Sequence, residues 1–498
     1  MSFAFKTAPL GGSRMAAMNT PTSPRCPIHS GSSSPAPLSG APGSWPPGPT
    51  AGVTGWSLLR RMSRDLFGEL SAWQAQFGDV VHLRIWPEHQ VIVTDPQLAR
   101  ELLVSHHDAL IRWERGMRVF AQLHGHSVFI AEGKAWKDKR HALQPAFSGK
   151  AVEAFVPTIA AATAAALDRW PADGTPWQIE SALTSLTMDV ILRMLFSSEI
   201  GDEARVAEEA VRTVSAVANA EFYWPASAPD WMPWKRDKRQ ALAALNGLVE
   251  RHLQARLKQP EDAWPDDLLA RLLRLHRDDG QAWPLQAVHD ECMTTFLAGH
   301  ETAAATLSWW AWCMAAHPEA QAAAAAEVWL GLGDRPPSAA DLPQLPYLAQ
   351  TVQETLRLYP TAPLLNSRRA TRPIALGDWR FPAGTMFMLP VLLMHRDARW
   401  FPEPLRFQPE RFGPAAADFP RGAYLPFGAG PRVCLGQHLA LTEMKVITAM
   451  ILQRYVLSAP DGMAPPQPRF HVSLRPERPL QLRVSSRKQP GYSTATAG

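Results

Sequence analysis

A single cysteine, Cys434, sits in the glycine-rich run Phe427-Gly428-Ala429-Gly430-Pro431-Arg432-Val433-Cys434-Leu435-Gly436, just before a helix-like stretch marked by Leu439, Ala440, Met444 and Ile447. The three glycines allow backbone conformations and close approaches that a side chain would block. They also leave amide N–H groups free to point at the sulfur. The positive end of the following helix and nearby Arg432 both favour a thiolate over a thiol. A lone cysteine is ordinarily a small buried side chain. In this loop it is a candidate metal ligand.

Length and composition bound the rest. A chain of 498 residues has room for about three average domains. Hydrophobic content of 46%, with 19 Trp and 19 Phe, can fill a large core. The formal charge of +4 is small for this size, and no basic run with interleaved aromatics offers a nucleic-acid surface. The cysteines Cys26, Cys292, Cys313 and Cys434 form no CxxC pair. A reducing compartment, the cytoplasm, therefore fits better than a disulfide scaffold. No apolar run reaches the roughly 18 residues expected of a spanning helix.

The stretch 1–54 is rich in Pro, Ser and Gly, and no acidic residue precedes Asp65. Such a leader has the composition of a transit peptide but no clear amphipathic helix. It reads as a disordered, dispensable extension, and 489–498 as a disordered tail. Val80–Ile85 and Gln90–Thr94 read as a hairpin around Pro87, after which Asp95-Pro96 starts a helix. Most of Ala151–Leu330 reads as long helices, and Ile374–Leu389 as a second small β patch. The fold class is mainly α with a minor β portion drawn from both ends of the chain.

Three shorter constellations accompany the cysteine. Glu354-Thr355-Leu356-Arg357 lies in a helical run stopped by Pro360, so Glu354 and Arg357 share a face. Pro409-Glu410-Arg411-Phe412 follows. Ala298-Gly299-His300-Glu301-Thr302 places an acid beside an alcohol in a long apolar helix, roughly Leu285–Ala316. The plain alternative there is a Thr302 hydroxyl bonded back to the Ala298 carbonyl. Trp136 and Arg140 are four apart on a helix closing near Pro145.

Together these segments resemble the cytochrome P-450 family. Phe427, Gly430, Arg432, Cys434 and Gly436 fill its haem-loop pattern Phe-x-x-Gly-x-Arg-x-Cys-x-Gly. The resemblance runs from about Phe77 to Arg483, and implies a cytochrome P-450 fold: one intertwined haem domain over 55–488. It implies that Cys434 ligates the iron of haem b, with Phe427, Gly428 and Gly436 shaping the loop beneath it. Trp136, Arg140, Arg432 and Arg368 or Arg369 would meet the haem propionates. Glu354, Arg357 and Arg411 would form a buried triad that locks the loop. On the oxygen side Ala298 would border the haem. Thr302 would hydrogen-bond the oxygen being activated, and Glu301 would relay protons.

The implied activity is monooxygenation of a small lipophilic substrate, fatty acid or terpenoid-like, with O2. The absent anchor suggests a soluble, bacterial-type monomer. No reductase module follows Cys434, so NAD(P)H would act through a separate reductase and a ferredoxin or flavodoxin. Lys134, Lys137, Lys139 and Arg140 form a basic cluster that could steer such a partner. Pocket residues are expected from the Ile111–Val128 loop, Phe222–Trp234, Ala298, Pro363–Leu365 and Phe470–Leu474. Peroxide-driven or isomerising relatives would not need the pair Glu301–Thr302, and a haem sensor would carry a signalling module.

Overall fold

Local sequence rules place the first elements. The computed structural model describes residues 45–487 apart from 198–200, 224–230 and 471–472. Val80–Ile85 (β1) and Glu88–Val93 (β2) form an antiparallel hairpin, Val80 facing Val93. Asp95 then caps the helix Pro96–Val104 (α1). Its carboxylate accepts the Gln97 and Leu98 N–H groups, and Pro96 occupies the first turn, where a missing N–H costs nothing.

Leu110–Arg112 (β3), Leu365–Ala370 (β4) and Met386–Leu389 (β5) complete a sheet in the order β1-β2-β5-β4-β3. β2 and β5 run parallel; the other neighbours are antiparallel. Both ends of the chain contribute, as the two β patches indicate. A smaller sheet pairs Gln481–Ser486 with Asp173–Gln178 and Tyr455–Ser458.

Helices dominate the rest. Those that position the site are Gly133–Leu143 (α2), Val156–Leu167 (α3), Ile179–Phe196 (α4), Leu285–Ala316 (α5), Pro346–Leu358 (α6) and Gln437–Arg454 (α7). α5 spans 32 residues and is apolar around most of its circumference, so it lies buried through the middle of the molecule. It packs along α4 and also meets α6 and α7. Gly299 permits the α4 approach: a Cβ there would lie 2.9 Å from Ile191 Cδ1. That glycine serves helix packing.

Two expectations need correction. The folded body begins before residue 55. Trp45 stacks on His82 and His89 at 4.3 and 4.4 Å, and the Pro47 carbonyl accepts the His82 N–H at 3.1 Å. The apolar stretch Gly149–Leu167 is also long enough, by length and composition, to cross a membrane. Half of it is buried, however, and Val152, Val156, Ile159 and Leu167 join the core that includes α7. The segments 1–44 and 488–498 lie outside the described residues.

Candidate active site

The cysteine loop folds back on itself: the Cys434 N–H donates to the Phe427 carbonyl at 3.0 Å. Gly430 has φ 72°, and a Cβ would sit 2.2 Å from the Leu103 carbonyl oxygen on α1. Only glycine fits there. Cys434 is solvent-accessible although protein surrounds it. Burial pushes its thiol pKa up, while the Gly436 N–H bonded to it and the Arg140 charge pull it down.

The cation beside the sulfur is Arg140, not Arg432. From α2, Arg140 Nη1 donates to the Val433 carbonyl at 2.9 Å. Arg432 turns away, lies 4.1 Å over the Trp136 ring, and bonds the Ala131 carbonyl and Glu132. The tight turn at Gly430–Arg432 aims it there.

A second arginine pair comes from strand register. β3 and β4 set Arg112 directly across from Arg368. Like charges so placed repel. Arg112, Arg368 and Arg432 share one carboxylate, Glu132, which bonds Arg112 Nε at 2.8 Å. Burial, then the charges of Arg112 and Arg432, pushes Arg368 down to about 9; burial and Arg112 push Arg432 to about 10. Arg369, the next residue along β4, faces the other way and pairs with Glu88 at 2.7 Å and Glu114 at 2.9 Å. Of the two, Arg368 lies with Arg112 and Arg432, and Arg369 does not.

Glu354 and Arg357 are fully buried on α6 and form a two-pronged pair at 2.7 and 2.8 Å. Arg411 Nε reaches Glu354 at 3.3 Å, and the Gln408 N–H donates to it at 2.9 Å. Arg357 Nη1 donates to the His395 and Pro404 carbonyls, both at 2.8 Å. Every donor and acceptor is engaged, as a buried ion pair requires.

On α5, Ala298 and Thr302 lie one turn apart and are solvent-accessible in a helix otherwise packed into the core. The Thr302 hydroxyl donates to the Ala298 carbonyl at 2.8 Å. Glu301 accepts from Ser215 and Ser473 hydroxyls, each at 3.0 Å. The Ile111–Val128 segment is mostly helix, Glu114–His124, rather than loop. Residues 224–230 and 471–472 of the expected pocket lie outside the described residues.

The basic cluster on α2 is not a free patch. Lys139 bonds buried Glu291 on α5 at 2.9 Å and lies 4.8 Å over the Trp283 ring. Lys134 pairs with Asp138. Among the described residues Lys137 alone of the four is exposed and makes no ion pair.

Do these residues fit a haem? Among the described residues no three His, Cys, Asp or Glu side chains cluster as a metal site. A metal on Cys434 would need its remaining ligands from a macrocycle. Three guanidiniums with one carboxylate are short of anions, as a group bearing two carboxylates would require. The residues fit. Arg112 and Glu132 escaped the sequence reading, because only strand register brings Arg112 to Arg368.

The family model described as Cytochrome P450 matches residues 46–484. Cyclooctat-9-en-7-ol 5-monooxygenase of Streptomyces melanosporofaciens is 34% identical over 394 residues, covering 77% of this chain and 84% of that protein. Cyclooctatin synthase of the same organism is 31% identical over 448 residues, covering 88% and 94%. The 11-oxo-beta-amyrin 30-oxidase of Glycyrrhiza uralensis is 30% identical over 387 residues, covering 74% and 73%. With a match that spans the sheet, α5, the Glu354 knot and the cysteine loop, this chain belongs to the cytochrome P450 family of haem-thiolate monooxygenases.

Proposed function

We propose that this chain places one atom of O2 on a lipophilic, terpenoid-like substrate, with Cys434 as the residue that would hold the iron of haem b. The observation that carries the reading is a loop, turned at Gly430, that holds the accessible Cys434 thiol against the Gly436 N–H with the Arg140 charge nearby. Bound haem supplies oxygen activation, which a thiolate ligand favours by pushing electron density onto iron. Arg112, Arg368 and Arg432 would hold the haem carboxylates, and Trp136 packs against the Arg432 guanidinium. Phe427, Gly428 and Gly436 shape the loop around the sulfur.

Thr302 offers a hydroxyl at the accessible face of α5, held in place by the Ala298 carbonyl. Glu301, one residue away, carries protons toward it, drawing on the hydroxyls of Ser215 and Ser473. The acid–alcohol pair favours O2 and a reductant over peroxide. Electrons reach the site from NAD(P)H through a reductase and a ferredoxin or flavodoxin, with the chain acting as a cytoplasmic monomer. The substrate class follows the relatives, two of which are named for cyclooctatin chemistry and one for an amyrin derivative.

Cys434→Ser tests the ligand. The wild-type holoprotein should give the red-shifted thiolate band of its reduced carbon monoxide complex, and the serine variant should not. Survival of the band in the variant would sink the reading. For the substrate, polycyclic terpenoid alcohols and long-chain fatty acids should be compared by haem spectrum and product identification, with a surrogate redox pair. Turnover of fatty acids alone would overturn the terpenoid assignment.

A further inference from the structure

His395 lies between the buried charge knot and the cysteine loop, and it touches both. It ends the short helix Val391–His395 and is fully buried. Its backbone carbonyl accepts Arg357 Nη1 at 2.8 Å, which ties the residue to the Glu354–Arg357 pair. Its ring Nε2 accepts the Leu425 N–H at 2.7 Å. Leu425 stands two residues before Phe427, whose carbonyl receives the Cys434 N–H. The ring also packs on Tyr424, centroids 5.1 Å apart, and the Tyr424 hydroxyl donates to the Gln353 carbonyl on α6 at 3.0 Å.

We infer that His395 is a positioning residue for the haem ligand: its imidazole fixes the backbone entering the cysteine loop relative to the charge knot, and so fixes where that loop holds Cys434. The inference rests on the haem-thiolate reading of Cys434.

The physical need is plain. The Leu425 N–H is buried, and an unpaired buried donor is costly, so the backbone moves to find a partner once the imidazole is removed. The knot's hydrogen bonds reach the His395, Glu403, Pro404 and Arg406 carbonyls and the Gln408 N–H, and none reaches Leu425. The imidazole carries the connection onward. It can act as an acceptor only while neutral, and burial, then the Arg357 charge, pushes its pKa down to about 3. Burial thus favours the neutral imidazole that the tie needs.

The test uses the full-length holoprotein. His395→Phe keeps a ring against Tyr424 but offers no acceptor; His395→Gln keeps an acceptor near the Nε2 position. The readouts are the reduction potential and the rate at which the thiolate-type carbon monoxide band gives way to that of a lost or protonated thiolate. His395→Phe should lose the band roughly tenfold faster than wild type, the scale set by one unpaired buried donor. His395→Gln should restore most of its lifetime. A His395→Phe holoprotein with wild-type band lifetime and potential would overturn the inference, as would equal losses in the Phe and Gln variants.

Should the Phe variant not accumulate, hydrogen exchange of the wild-type holoprotein decides. The Leu425 amide should be protected as well as the amides of α7, and rapid exchange would overturn the inference. A wild type with no thiolate band would instead remove the reading of Cys434 itself, so the two failures are distinguishable.

Discussion

Glu443, on α7 nine residues beyond the cysteine, is buried in the apolar core, and its Oε1 has no hydrogen-bond partner. Burial pushes its pKa up to about 8. The unfolded chain therefore releases this proton first. The resulting penalty is absent below about pH 4.5 and grows as the pH rises toward 8. Glu443→Met should stabilise the protein by about 2–4 kcal/mol at pH 8 and very little at pH 4.5. Urea denaturation at the two pH values measures this; a gain independent of pH would count against a neutral buried acid. Lys139 is the opposite case, a charge that is satisfied. Glu291 is buried, Lys139 is half-buried, and Glu291 also accepts the Val128 N–H at 2.8 Å. Lys139→Met should cost about 3–5 kcal/mol by leaving Glu291 uncompensated. Lys139→Met with Glu291→Gln should recover most of that. A loss below about 1 kcal/mol would return Lys139 to the surface patch suggested by its sequence neighbours.

At the scale of elements, the contact between α4 and α5 depends on a missing side chain. Gly299→Ala gains about 1 kcal/mol of helix propensity. It also drives a methyl to 2.9 Å from Ile191 Cδ1, an overpacking that costs about 1–3 kcal/mol. The net effect should be a loss of about 1 kcal/mol. Ile191→Val removes the clashing atom, so the two substitutions should couple by about 0.5–2 kcal/mol in a double-mutant cycle. Zero coupling would mean that the helices part easily. β4 shows a different control. Successive residues of a strand face opposite sides, so Arg368 meets the arginine cluster while Arg369 meets Glu88 and Glu114. A shift of one residue in the β3–β4 register would exchange the two.

For the molecule as a whole, the sheet is closed by the segment that precedes it. Trp45 covers His82 and His89, which are hydrogen-bonded to each other at 2.9 Å across the β1–β2 hairpin. Trp45→Ala should cost about 2 kcal/mol and raise hydrogen exchange in β1 ahead of the helices; unchanged exchange there would show that the segment is merely adjacent. Composition hid this contact. A lone tryptophan among Pro, Ser and Gly reads as part of a tail, and its partners lie some forty residues on, in strands whose faces are fixed only when the sheet forms.

Much of this protein follows from sequence alone. Asp95-Pro96 starts a helix because capping is a matter of adjacent residues. The pairing of Glu354 with Arg357 needs only helical spacing, and Gly428 and Gly430 before Cys434 announce a left-handed backbone that favours glycine. The tertiary structure decided which charges meet. Lys139 turns inward, Arg140 rather than Arg432 stands by the sulfur, Arg112 joins Arg368, and Arg369 finds Glu114 across a separation of 255 residues. Charged side chains are long and carry little local preference of their own. Their partners are chosen by strand register and helix packing, which exist only once distant parts of the chain have come together.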